Sequence, residues 1–177
     1  MTFDESVVDG LVQPDQTTCG PSSLVAAHML LDPSYRPTFA TDVLALHRAL
    51  IKPSYAGRAQ LPWPRAFGTP PWAVAHGMRA VTGVRYRVKI VRLWGRASAF
   101  TAVRAAAASG HPCPLYVGDR WLPRHVVLAL GATDDGLRVY NPASGRVVTV
   151  TETDYVGATL TNVSWSTPWY ALLPDGL

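Results

Sequence analysis

The stretch QPDQTTCGPSSL, residues 13–24, decides how the rest of the chain is read. It sets Cys19 between turn-prone residues and an apolar segment in which Leu24, Val25, Ala27, His28 and Leu31 recur at helical spacing. Pro21 falls in the first turn, where a missing backbone N–H costs nothing, so a helix is predicted to start at or near Cys19. A thiol there meets unpaired N–H groups and the positive end of the helix dipole, both of which favour the anion; a lowered pKa is expected. The rival readings are a small buried side chain, or half of a disulfide with Cys113, the second of the two cysteines. Partners elsewhere in the chain decide between them.

A cysteine nucleophile needs a base, a group that orients the base, and donors for the oxyanion. His125 opens the apolar strand HVVLALGA directly after the loop GDRWLPR, which puts its ring at a sheet end. Asn141 closes the next strand, in VYNPASG. Hairpin pairing through TDDG brings the start of the first strand beside the end of the second. The Asn141 side-chain oxygen can then accept from the imidazole and fix its tautomer. Gln13, ahead of Cys19, can donate to an oxyanion alongside the Cys19 backbone N–H. Trp121, just before His125, is expected to form a wall or lid of the cleft, and with Gly20 it is assigned to substrate binding.

Together, QPDQTTCGPSSL and RHVVLALGATDDGLRVYNPASG resemble the C39 and C39-like branch of the papain-like cysteine peptidases. That motif runs Gln, five residues, Cys-Gly-Pro or Cys-Gly-Ala, then His followed by apolar residues, and Asp/Asn-Pro-x-x-Gly. The resemblance implies a papain-like fold with Gln13 as the oxyanion-hole glutamine, Cys19 as nucleophile, His125 as base and Asn141 as third member. It implies a peptidase or amidase that attacks a peptide or side-chain amide and passes through an acyl-enzyme. Acyltransferase or deamidase chemistry from the same residues stays open, as does a non-catalytic peptide-binding module of the same fold. Two features depart from the pattern: Asn141 stands where the branch usually has Asp, and residues 33–82 match no part of it. Relatives that trim Gly-Gly leader peptides are commonly fused to a transporter; this sequence, with neither span nor phosphate-binding loop, reads as a free-standing domain.

Periodicity orders the remaining elements. Thr41 is placed as the cap of a helix carrying Val43, Leu44, Leu46 and Leu50, which ends before Pro53. Residues 52–71 are proline-rich yet apolar, and read as an ordered surface loop. A helix is predicted from Pro71 to about Val81, stopped by Gly83. VRYRVKI then alternates, with Arg85, Arg87 and Lys89 on one face and Val84, Tyr86, Val88 and Ile90 on the other. Ser98 is placed as the cap of an alanine-rich helix closed by Gly110. The strands CPLYVG, HVVLALGA, LRVYNP, RVVTVTE and PWYALL follow. Helices before strands give an α+β fold, one domain over residues 1–177, with N-terminal helices packed on one side of a C-terminal antiparallel sheet.

Composition sets outer bounds. The net charge of +4 and pI near 9.3 are mildly basic, and Lys and Arg are read as scattered surface charge, so no nucleic acid partner is expected. The expected partner is a peptide or protein substrate. Two cysteines in 177 residues fit a reducing compartment, and no secretory signal or transmembrane run is legible. A cytoplasmic location is therefore expected, and an Ala- and Arg-rich composition suits a bacterial, high-GC source. His28, His47, His76 and His111 read as packing or surface residues. No His or Cys pair has zinc-site spacing, and neither metal nor cofactor is expected. The Arg85, Arg87, Lys89 face reads as a solvated strand face.

Overall fold

The computed structural model describes residues 3–176, so the extreme ends of the expected 1–177 domain lie outside the described residues. Helix α1 (Cys19–Leu31) begins on the cysteine itself, and every residue from Cys19 to Ala27 is buried. That is the pattern of a helix enclosed by neighbours on all sides. Helix α2 (Phe39–Leu50) starts three residues earlier than the expected Thr41 cap allows: Thr38 holds the N-cap position, without a side-chain capping bond, and Thr41 lies in the first turn.

The proline-rich region is ordered. It contains a minimal hairpin of β1 (Ser54–Tyr55) and β2 (Arg58–Ala59), and a short 3-10 turn at Arg65–Phe67. Trp63 meets the rings of Phe67 and Trp72 edge-on. Helix α3 (Pro71–Thr82) is stopped by Gly83 in the left-handed region, at φ 74°. After strand β3 (Tyr86–Ile90), helix α4 (Arg96–Ala108) is capped by Gly95. Ser98 lies inside its first turn, with its hydroxyl donating back to the Gly95 carbonyl, so it does not cap the helix.

Then come β4 (Cys113–Gly118), β5 (Pro123–Ala132), β6 (Gly136–Asn141), β7 (Arg146–Thr151), helix α5 (Glu152–Gly157) and β8 (Thr167–Pro174). Helix α5 escaped the periodicity reading because ETDYVG carries only two apolar side chains. Thr151 caps it through a hydroxyl that accepts the Asp154 N–H. The longer strands form one antiparallel sheet in the order β3-β8-β4-β5-β6-β7.

Alternation along the strands divides the core into two layers. Tyr116, Val126, Leu128, Tyr140 and Leu172 share a cluster with Cys19, Leu24, Val74 and Met78. Leu115, Val117, Val127, Ala129 and Val139 share another with Phe100 and Val103 of α4 and Tyr155 of α5. The expected one-sided packing is thus corrected: α1, α2 and α3 cover one face of the sheet, α4 and α5 the other. The cause is visible in β4 and the middle of β5, near-continuous apolar runs that are buried at both parities. At the sheet edge, Tyr86 is the one buried residue of β3, while Val88 and Ile90 remain 37% and 62% exposed. Among the described residues no helix is long and apolar enough to cross a membrane.

Candidate active site

Backbone pairing brings the N-terminal segment to the end of β6. The Gly10 N–H donates to the Gly145 carbonyl at 2.7 Å and the Gln13 N–H to the Pro142 carbonyl at 2.8 Å, while the Tyr140 hydroxyl reaches the Leu11 carbonyl at 2.5 Å. Gly145 is required twice over. Its φ of +68° favours glycine, and an added Cβ would stand 3.0 Å from the Gly10 carbonyl carbon. Gln13 is thereby held against the residue that follows Asn141.

His125 and Asn141 meet because of register. Leu128 stands opposite Tyr140, so one residue further along Asn141 faces Val127 and lies diagonal to His125 on the same sheet face. His125 Nε2 lies 2.8 Å from Asn141 Oδ1. That oxygen also accepts the Ala143 N–H at 3.0 Å, in the Asx turn that Asn-Pro sequences favour. A main-chain N–H can only donate, so the amide orientation is fixed, Nε2 carries the ring proton, and Nδ1 holds the lone pair. Asn141 Nδ2 donates at 3.4 Å to both the Asn162 carbonyl and the Ser164 hydroxyl. Burial, offset in part by the Asn141 bond, lowers the pKa of His125 and leaves the ring neutral at pH 7.

Cys19 is 5% exposed and unoxidised. Burial pushes its thiol up to about 11, against the pull of hydrogen bonds from the backbone N–H groups of Val126, Gly20 and Cys19 itself; the Asp15 carboxylate adds to the rise. The lowered pKa expected from the helix N-terminus is therefore corrected: the donors are in place, but loss of solvent outweighs them. The Val126 contact is informative, because Val126 directly follows His125. By alternation Val126 turns toward the Cys19 layer and His125 toward the Asn141 face, so thiol and imidazole stand on either side of the end of β5. Cys113 lies in the opposite core layer from Cys19, and the disulfide reading is excluded.

Gln13 donates one amide hydrogen to the Asp15 carbonyl at 2.7 Å, and its Oε1 is buried without a partner. An amide nitrogen carries two hydrogens, so one remains for a ligand. Gly20 is packed: a Cβ there would lie 2.9 Å from Thr69 Cβ and 3.2 Å from a Val74 methyl. Trp121 is 69% exposed in the loop of the β4–β5 hairpin, with the Arg120 guanidinium 4.4 Å above its ring. Asp119 accepts the Trp121 and Leu122 N–H groups and shapes that loop.

The sequence reading did not foresee the braces around the Gln13–Cys19 loop. Arg65 pairs with Asp15 at 3.3 Å, the Tyr116 hydroxyl donates to the Thr69 carbonyl at 2.7 Å, and His47 Nε2 lies 3.3 Å from the Gly68 carbonyl. The proline-rich region thus reaches the loop that carries the thiol through Arg65, while β4 and α2 hold that region in place. No local signal marks these contacts. The Ala143 N–H, by contrast, was legible in the Asn-Pro turn signature. Among the described residues no three His, Cys, Asp or Glu side chains converge as a metal site.

No protein-family profile matches this chain. No curated protein matches it either. Solved structures do share its fold. The peptidase domain of Streptococcus ComA, described as a bifunctional ABC transporter of a quorum-sensing pathway, superposes with a TM-score of 0.53 at 11% identity, covering 94% of this chain and 97% of that one. A double glycine motif protease from an AMS/PCAT transporter, solved with a leader peptide, gives 0.55 at 13% identity over 92% and 87%. A Bacillus anthracis protein described as a C39-like peptidase gives 0.56 at 10% identity over 99% and 98%. The chain has the α+β fold of C39 peptidase domains.

Proposed function

We propose that this chain is a papain-like cysteine peptidase or amidase in which Cys19 is the nucleophile, His125 the general base, Asn141 the group that orients the base and Gln13 an oxyanion donor. One observation carries the reading: Asn141 Oδ1, pinned by the Ala143 N–H, accepts from His125 Nε2 and leaves Nδ1 as the basic nitrogen. Further support comes from position: the buried His–Asn pair, with its defined tautomer, sits at the same strand end whose Val126 N–H meets the Cys19 thiol.

The chemistry follows from the resting charges. Thiol and imidazole are both neutral at pH 7, so the proton moves from sulfur to Nδ1 as sulfur attacks the carbonyl carbon. The free amide hydrogen of Gln13 and the Cys19 N–H receive the oxyanion. The imidazolium returns the proton to the departing amine as the C–N bond breaks, leaving a thioester. Water, deprotonated by His125, then releases the acid and the thiol. A peptide substrate is supported by the leader peptide bound to one protein of the same fold. An amine in place of water gives acyl transfer, and attack on a side-chain amide gives deamidation.

The test is covalent trapping with peptide aldehydes and glutamine-analogue electrophiles, read as intact mass and mapped to the residue. An adduct on Cys19 that disappears in Cys19→Ala is the expected result. Aldehyde reactivity indicates cleavage of peptide bonds, and reactivity with the glutamine analogue indicates deamidation or transfer. A folded chain that gives no adduct on Cys19 with any probe overturns the catalytic reading and leaves a binding module.

A further inference from the structure

The expected scatter of Lys and Arg is corrected by their distribution, because charge is segregated along this chain. Between Asp42 and Asp119 the sequence holds no acidic residue, yet eleven of its sixteen Lys and Arg residues fall there. The fold gathers several of them around β3. Arg58, Arg79 and Arg85 line a concavity of about 170 Å³ together with Trp72, His76 and Val88. Arg58 and Arg79 make no ion pair among the described residues. Burial and then the charges of these two arginines hold the His76 imidazole below its ordinary value, so their field reaches into the concavity. A second concavity, of about 430 Å³, lies beside α4, where Arg87 and Lys89 stand over Ala102, Ala105 and Ala106. Asp175 bridges Arg85 and Arg87, and one carboxylate between two guanidiniums leaves net positive charge.

Between the two concavities runs β3, an edge of the six-stranded sheet. Its free hydrogen-bonding row can be assigned. The Val91 N–H bonds the Trp169 carbonyl at 2.9 Å and the Asp175 N–H bonds the Arg85 carbonyl at 2.8 Å, with no register shift between them. In an antiparallel pair the bonded residues alternate, so odd-numbered residues face β8 and the outward N–H and C=O groups belong to Tyr86, Val88 and Ile90. Charged residues on an edge strand often serve only to deter pairing. That role explains Arg87 and Lys89 but not Arg58 and Arg79, which come from β2 and α3 and are turned on the same strip.

We propose that the free edge of β3 docks an extended acidic peptide as an added strand, with carboxylates on successive residues entering the two cationic concavities. Strand periodicity sends neighbouring side chains to opposite faces, one toward α3 and the next toward α4. The unpaired N–H and C=O row supplies main-chain bonds that a nucleic acid backbone cannot match in spacing, which favours a peptide over another polyanion. Docking here is independent of what Cys19 does.

The experiment is fluorescence anisotropy on the full chain with a labelled peptide of Glu-Glu-Thr repeats, its Gln-Gln-Thr counterpart and a single-stranded oligonucleotide. The Glu peptide is expected to bind about tenfold tighter than the Gln peptide, with affinity falling as salt rises. Val88→Pro removes an outward N–H without touching the β8 ladder, and is expected to weaken binding about tenfold. Arg58→Glu combined with Arg79→Glu is expected to do at least the same, with thermal melting as the control for fold. Binding that survives both the Val88→Pro and the double-arginine changes overturns the proposal, as does an oligonucleotide that binds tighter than the Glu peptide. Because the readout is binding, loss of the catalytic reading leaves this result intact, and the reverse holds as well.

Discussion

Cys19 and Cys113 pose the same chemical question on opposite faces of one sheet. Both thiols are free, both are buried, and burial raises the pKa of both. What differs is the backbone around them. Cys19 opens a helix and meets three N–H donors that partly offset its burial, whereas Cys113 opens a strand, its burial is offset by no donor, and its own weak bond runs to the His111 carbonyl at 3.5 Å. Cys19 is therefore the less strongly shifted of the two. The two thiols are thus distinguished by where the surrounding backbone N–H groups point, not by exposure.

The largest expected effect separates the two thiols outright. Cys19→Ala is expected to reduce turnover of the trapped substrate class by about 10⁴-fold or more, while Cys113→Ala leaves kcat in place and costs about 1 kcal/mol for the small cavity it opens. Comparable activity losses in both variants, measured with matched melting curves, erase the distinction.

Asn141→Ala comes next. It removes the acceptor that fixes the His125 tautomer, and kcat is expected to fall by about 10²–10⁴-fold. Asn141→Asp keeps the acceptor and adds a negative charge, which favours the imidazolium and raises the pKa of His125. Since the base must be neutral to act, the acid limb of the kcat/KM profile is expected to move to higher pH in that variant. An unmoved limb means that His125 is not the titrating base.

The smallest effect is read by alkylation. With the Cys19 thiol at about 11, the thiolate fraction grows about tenfold per pH unit below that value, and iodoacetamide labelling of Cys19 should rise accordingly from pH 7 to pH 9. Cys113 should stay unlabelled in the folded chain over the same range. Fast labelling of Cys19 that is flat between pH 5 and pH 8 points instead to a preformed thiolate–imidazolium pair.

The placement of the candidate residues was largely legible in the sequence. Cys19 at a helix start, His125 at the head of a strand, and Asn141 beside it through the hairpin were all read from residue order and turn chemistry. The helix boundary at Gly83 was equally clear, because a left-handed stop leaves a glycine signature. The start of α2 slipped from Thr41 to Thr38 because either threonine suits an N-cap position and only the chain path chooses. Helix α5 was missed because a short polar helix has no period to detect; the covering of the second sheet face was missed although α4 was foreseen, because the order of elements does not say on which side of a sheet a helix packs.

Sequence alone determined which residue types stand in which order: a cysteine before a helical run, then histidine and asparagine at the two ends of a hairpin, with a glutamine ahead of them all. Local rules suffice for that, since caps, turns and strand register act over a few residues. The tertiary structure decided the charge state of the thiol, the protonated nitrogen of the imidazole, and the meeting of Arg58, Arg79 and β3 around one strip of edge. Each of these depends on burial and on partners far apart in sequence, and desolvation and long-range contact are properties of the packed molecule that no local pattern encodes.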